Sequence, residues 1–395
     1  MTLYASMVIG LALSIAVSVF NTRTLGVDQF GDYKLLQNLF SLAITGLTFG
    51  AFVSGARLLP TLTSAEAKQR LYGAIAVVIL LLYAVLVASF LLFSFVQGDL
   101  FDSDLGFTIR LILPLLIAYP LQSCLENILK GDNRITSLAV LRFLPSLLYL
   151  MSGMFMLAVG RATLDVLIAL NIASTLVVGG TIFLRLRPSF EGIYASLEGL
   201  LKEIRRYGLH VYVGILAGVM TTHLGGVMVG YYQGVANAGL FLLAQTMTLP
   251  LTFLASTIGT VFYKKFASSI AISRRSFIVV FGLGFACLIV YNLLIGYVIG
   301  WLYPPEFGAI VSLVQLMAIG AVAHGMGAFI NNFTCARGYG GFARKAAFFR
   351  GAVNLAGYVG LVPLFGVQGA AWTALAAGCT ALAAEYFYYR KIIAR

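Results

Sequence analysis

Charged and amide side chains inside long apolar stretches are the residues of this chain with chemistry to offer. The basic set is Arg23, Arg110, Arg142 and Arg350, joined by His223 and His324, and two amides, Gln37 and Gln245, stand at matching places in the two halves. An arginine keeps its charge in a low-dielectric setting and offers a donor fork to oxyanions. Arginine and histidine together therefore suit a pyrophosphate or an acidic sugar, and the amides suit sugar hydroxyls. Of the 14 acidic residues very few lie within apolar segments, Glu126 and Glu385 among them, both near segment ends. That scarcity argues against a cation exchanger, which needs an intramembrane carboxylate. Each residue also has a plain reading. Arg142 and Arg350 stand about a turn inside their segments, where the side chain can snorkel to headgroups. Arg23 can close a helix on the negative end of its dipole, His223 and His324 can be hydrogen-bonded packing groups, and the two glutamines can bridge helices. Lys34 is expected to face water.

No H-E-x-x-H, G-x-S-x-G or Walker motif occurs, and Gly338-Tyr339-Gly340-Gly341 lacks the Lys-Ser/Thr of a nucleotide cradle. Acid/base pairs for an enzyme are missing, and no enzymatic activity is expected. The four cysteines are scattered singly, so neither a disulfide framework nor a metal site is expected. No cofactor is expected; coupling to a proton, sodium or the membrane potential is left open.

The elements that must position these residues are membrane spans. Of 395 residues, 60% are hydrophobic and 10% charged, with a mean hydropathy of +0.95, far from the composition of a soluble domain. Twelve apolar segments can be bounded, at 3–21, 35–56, 72–97, 106–129, 138–159, 163–184, 208–230, 238–262, 277–300, 308–334, 346–364 and 368–389. This is an all-α polytopic membrane protein. The first segment, with no basic region before it, reads as a retained span rather than a signal peptide. The formal net charge of +12 would suit a nucleic-acid partner, but the basic residues alternate between loops. With the N-terminus inside, only Arg23, Lys34, Arg110 and Arg161 of the 26 Lys and Arg fall outside. Both termini are thereby expected in the cytoplasm, and no nucleic-acid partner is expected.

A pattern G-V-x-[QN]-x-G-x-[YF]-x-L-x-Q occurs twice, from Gly26 to Gln37 and from Gly234 to Gln245, at an offset of 208. Arg57 and Lys265, and Arg142 and Arg350, keep the same spacing. The chain thus divides into two copies of six spans related by a parallel repeat, over 1–184 and 208–395. Between them, 185–207 reads as a cytoplasmic amphipathic linker. Its apolar face carries Phe190, Ile193, Tyr194, Leu197, Leu200, Leu201 and Ile204. Pro114, Pro120, Pro145 and Pro250 are expected to kink spans four, five and eight.

Thr22-Arg23-Thr24-Leu25-Gly26-Val27-Asp28-Gln29-Phe30-Gly31-Asp32-Tyr33 resembles the first-hairpin signature of bacterial polysaccharide flippases of the O-antigen translocase type. Gly230-Tyr231-Tyr232-Gln233-Gly234-Val235-Ala236-Asn237-Ala238-Gly239-Leu240-Phe241 resembles their mid-chain signature. Their superfamily also holds multidrug/cation antiporters and peptidoglycan-precursor flippases. The resemblance implies two pseudo-symmetric six-helix lobes around a central cavity that opens alternately to each side. It also implies transfer of undecaprenyl-pyrophosphate-linked oligosaccharide from the cytoplasmic to the periplasmic leaflet of the inner membrane. A glycan polymerase or ligase in the same membrane is a possible partner. Two features depart from the family pattern: Gly225 and Gly226 stand where many members carry an acidic residue, and no basic N-terminal tail is present. The leading expectation is a lipid-linked oligosaccharide flippase; a peptidoglycan-precursor flippase or a multidrug/cation antiporter of the same fold is the alternative.

Overall fold

The computed structural model describes the backbone of residues 2–394 and the side chains of residues 9–394. Every regular element among them is helical. α1 (Thr2–Leu47) is one helix in register but leaves helical geometry at Gly26, with φ 69° and ψ −176°. α10 (Thr221–Gln233) and α11 (Val235–Ser268) are divided by Gly234, at φ 86° and ψ 163°. Both glycines occupy the corner of backbone space that is essentially closed to residues bearing a Cβ. The repeated pattern therefore encodes the same backbone break twice. No polar loop spans 22–34, as the apolar segmentation expects. One residue suffices for the break, and Asp28, Asp32 and Lys34 ride on the second arm of α1, residues 27–47.

That arm ends at Leu47 rather than near residue 56, and α2 (Ala51–Leu58) follows Gly50, whose φ is 73°. α3 (Ala65–Phe101) starts where the Ser64 hydroxyl accepts from the Ala67 amide, with Glu66 in the first turn, both favourable at a helix N-terminus. α4 (Gly106–Ile112), extended by a short turn to Leu115, and α5 (Ala118–Gly131) form one span bent by 46° at the break between Leu115 and Ala118. Pro114 and Pro120 flank the break, and neither has an amide hydrogen to donate to the carbonyl one turn back. α6 (Ile135–Ala158) carries Pro145 in its interior, and α7 (Leu164–Arg185) follows.

α8 (Ile193–Glu203) lies in the expected linker but does not stop there. It runs through a π turn into α9 (Leu209–Ile215), then through a second π turn into α10. Its apolar stripe is divided in use. Leu200 is 1% exposed and Tyr194 87% exposed, because the helix rests against α2 and α3 with one edge only. After α11 come α12 (Arg274–Leu302), α13 (Ile310–Ala336) and α14 (Gly340–Ile393), the last broken at Gly366 with φ 58° and ψ −137°.

Nine described helices are long and apolar enough to cross a membrane, ten counting the bent pair as one span. Dividing α1 at Gly26 and α14 at Gly366 brings the segments to twelve, matching the twelve apolar runs. Side chains such as Leu92, Phe95, Met151, Phe155, Val177, Phe285 and Leu293 are exposed. Bands of this kind belong against hydrocarbon, where a helix satisfies its own backbone. The chain forms two compact units, Met1–Val213 and Gly214–Arg395; the boundary falls within α9.

Candidate functional site: a polar cavity in the first unit

Inside the first unit a cavity of about 390 Å³ opens between four helices. Each gives it two polar residues four apart. The second arm of α1 gives Gln37 and Ser41, α5 gives Gln122 and Glu126, α6 gives Arg142 and Ser146, and α7 gives Asn171 and Thr175. Residues at i and i+4 share a helix face, so each helix turns one polar stripe inward. Tyr119 and Pro145 complete the wall. Pro145 cannot donate to the carbonyl one turn back, that of Leu141, which also lines the cavity.

Much of the wall is held in place by its own hydrogen bonds. Gln37 Nε2 donates to Asn171 Oδ1 and to the Tyr33 hydroxyl, both at 3.0 Å. This ties α1 to α7 and fixes which way both amides point. The Ser41 and Thr175 hydroxyls donate to the carbonyls of Gln37 at 2.8 Å and Asn171 at 3.2 Å. Just outside the cavity, Asn21 accepts from the buried Tyr149 hydroxyl, and Phe40 packs against Phe90 and Tyr119. Among the described residues no carboxylate lies within ion-pair distance of Arg142. Glu126 accepts one long hydrogen bond, from Gln122 at 3.4 Å. The cavity thus carries a cation and an anion that form no ion pair with each other, framed by amides, with Lys130 of α5 close enough to feel the charge of both.

The second unit treats the equivalent positions differently. Arg350 stands 208 residues after Arg142, but its guanidinium is engaged: Nη2 donates to Thr222 Oγ1 at 2.8 Å and Nη1 lies 3.0 Å from His324 Nε2. Arginine can only donate, so His324 accepts through Nε2 and carries its proton on Nδ1, which is buried without a partner among the described residues. One turn on, Asn354 donates to Thr221 at 3.3 Å. At the repeat offset of 208, Gln122 and Glu126 correspond to Ile330 and Thr334, both fully buried, Ile330 in a cluster with Phe266, Phe329, Phe333 and Tyr389. Tight packing encloses there the positions that line an open polar space in the first unit.

The residues singled out in the sequence therefore separate. Gln37 and Arg142 line the cavity, whereas Arg350 and His324 form a tie between α10, α13 and α14. His223 is half-buried on α10, and Gln245 is half-buried on α11, its carbonyl accepting from Thr248. Arg23 is exposed on α1 and is not among the cavity-lining residues. Arg110 is exposed too, its Nε donating to the Gly106 carbonyl at 2.9 Å and its guanidinium over the Phe95 ring at 5.4 Å, the behaviour of an amphipathic side chain at an apolar surface. Lys34, expected in water, is half-buried with its ammonium 5.7 Å from the Phe30 ring, because residues 27–47 are helix rather than loop. Gln122, Asn171, Ser41 and Thr175 are cavity residues that the sequence reading leaves out. Their signal is in the sequence, as polar pairs at i and i+4 interrupting apolar runs.

Two six-span units, with the same glycine break at the start of each, define a class. The fold is that of the MOP transporter superfamily. The lipid II flippase MurJ, in an inward closed conformation, superposes with a TM-score of 0.77 at 13% identity, covering 99% of this chain and 89% of that one. An inward-facing multidrug resistance MATE family transporter gives a TM-score of 0.70 at 14% identity, covering 98% and 94%. A MOP superfamily transporter from Pyrococcus furiosus gives 0.64 at 14% identity, covering 100% and 95%. At such identities the likeness establishes the fold. A search of curated proteins returns no match. Within that fold the chain belongs to the polysaccharide biosynthesis protein family, whose model matches residues 1–269.

Proposed function

We propose that the protein carries a polyprenyl-pyrophosphate-linked oligosaccharide, the repeat unit of a surface polysaccharide, across the bacterial inner membrane by alternating access. The observation that carries this reading is the first-unit cavity, in which Arg142 has no acidic partner and faces amides and hydroxyls. An arginine without a counter-ion in a polar, partly buried site suits an oxyanion head group, and the surrounding amides suit sugar hydroxyls. Membership of a polysaccharide biosynthesis family supports a glycan cargo, and a lipid II flippase of the same fold supports a lipid-linked one. The polyprenyl tail stays in lipid, so only the polar head has to leave water, which removes the main desolvation cost. The arrangement of basic loops supports cytoplasmic termini and export toward the periplasm. A glycan polymerase or ligase in the same membrane is the partner that would consume the delivered unit.

Arg142→Ala tests the reading. In cells lacking the wild-type gene, the variant at normal protein level should leave lipid-linked glycan on the cytoplasmic face, and surface glycan should fall about tenfold or more, the effect of about 1.4 kcal/mol or more of lost head-group binding. Undiminished surface glycan would remove Arg142 from the path.

A further inference from the structure

Arg142 and Glu126 line the same cavity yet do not pair: among the described residues no ion pair within 4.0 Å joins them. Opposite charges facing one polar space at a distance are matched best by an occupant that is itself divided, an acceptor at one end and a donor at the other. A bare phosphate answers Arg142 but places negative charge before the Glu126 carboxylate. A neutral sugar offers hydroxyl donors to Glu126 and leaves the arginine unanswered. A sugar joined directly to phosphate answers both, since a carboxylate is an acceptor-only group and sugar hydroxyls donate to it. A volume of about 390 Å³ falls in the usual range of small-molecule sites, roughly 300–1,000 Å³, and has room for one sugar ring with its phosphate.

We infer that this cavity recognises the glycosyl phosphate junction of its cargo, with Arg142 taking the phosphate and Glu126 reading hydroxyls of the sugar bonded to it. Glu126 is thereby the specificity-determining residue of the site, held beside Gln122 on the face of α5. Gln37 and Asn171 bond each other at 3.0 Å, which fixes their orientation in the wall and leaves the remaining acceptor and donor positions of those amides for the ring. The second unit supports the assignment. Buried Ile330 and Thr334 occupy the places of Gln122 and Glu126 there, so the carboxylate is not repeated, and Arg350 is satisfied by His324 and Thr222. The junction is therefore read by one unit and not by its repeat. This inference rests on the flippase reading and narrows it to a chemical group.

The test uses the full chain in lipid nanodiscs and calorimetric titration with glucose 1-phosphate and methyl phosphate, which share the phosphate ester and differ in the ring. Wild-type protein should bind glucose 1-phosphate at least about tenfold tighter, the effect of one or more hydrogen bonds to a charged group. Arg142→Gln should weaken both ligands by about tenfold or more. Glu126→Gln should abolish the preference while binding methyl phosphate at least as well as wild type, because a like charge has been withdrawn. Equal affinity of wild type for the two ligands, or binding of neither, overturns the inference even if no variant folds. A preference that survives Glu126→Gln overturns the role of that residue. Glycan translocation is scored separately in cells, so normal translocation without a sugar preference would sink this inference and leave the flippase reading standing.

Discussion

Arg142 and Arg350 stand 208 residues apart, at matching places of the sequence repeat, and have different surroundings. What separates them is acceptor supply. Thr222 and His324 meet Arg350, whereas Arg142 faces an open polar cavity. A second instance of neighbours deciding a charge lies at the turn between α5 and α6. The Asp132 side chain is 6% exposed and accepts from Lys68 Nζ at 2.6 Å, Arg134 Nε at 2.6 Å and the Tyr72 hydroxyl at 2.9 Å. Burial works to raise its pKa, but these three donors and the Lys68 charge outweigh it and hold the carboxyl below its ordinary value of 3.8. A carboxylate with a folded-state pKa below the unfolded one gives stability that is complete above the unfolded value and is lost as pH falls through the folded one. Asp132→Asn should therefore lower the thermal midpoint at pH 7, by an amount equivalent to about 2 kcal/mol for charged hydrogen bonds. The gap to wild type should close below pH 3.8. Melting curves of both proteins in detergent at pH 7 and pH 3 check this; a gap unchanged at pH 3 would mean that the charge of Asp132 is not what stabilises the turn.

At the scale of elements, the two breaks at Gly26 and Gly234 are the repeat's most reproducible feature. A Cβ built on either meets nothing within 4 Å, so substitution there costs backbone strain alone. Gly26→Ala and Gly234→Ala should each destabilise by about 1–3 kcal/mol, and by similar amounts, which matched thermal melts would show. Gly50→Ala is a useful contrast. Its Cβ would come 2.2 Å from the Gly208 carbonyl oxygen, adding a clash to the strain, and it should be the worst of the three. The helices that build the cavity announce themselves more faintly. Gln37/Ser41, Gln122/Glu126, Arg142/Ser146 and Asn171/Thr175 are visible as polar pairs one helical turn apart. Each pair alone could equally be interhelical bonding, and their convergence is a matter of how four helices are rotated about their axes. In the second unit the corresponding pairs are Gln245/Leu249, Ile330/Thr334, Arg350/Asn354 and Cys379/Ala383, of which Arg350/Asn354 alone stays polar at both positions.

The whole molecule is a multi-pass helical membrane protein in which twelve segments make two units. Its orientation in the membrane follows from the loops if the positive-inside rule governs it. A green fluorescent protein fused after Arg395 should then fluoresce in cells, and alkaline phosphatase fused after Arg161, in the turn between α6 and α7, should be active. The reverse pattern would invert the proposed topology. The composition, the spacing of apolar runs and the duplicated glycine pattern determined the class of fold, because span length and backbone conformation at a glycine are local consequences of local sequence. The same locality explains the errors. A charged stretch such as 27–34 looks like a loop until helix α1 is seen to run through it, and the linker looks separate from span seven until two π turns join them. Which intramembrane bases line a cavity is visible only in three dimensions. Arg23, Arg110, Arg142 and Arg350 are alike in sequence as basic residues in or at the ends of apolar runs. Exposure at the surface, an aromatic ring, an open cavity and a histidine partner give them different fates, since a charge is satisfied or left available by neighbours from other helices.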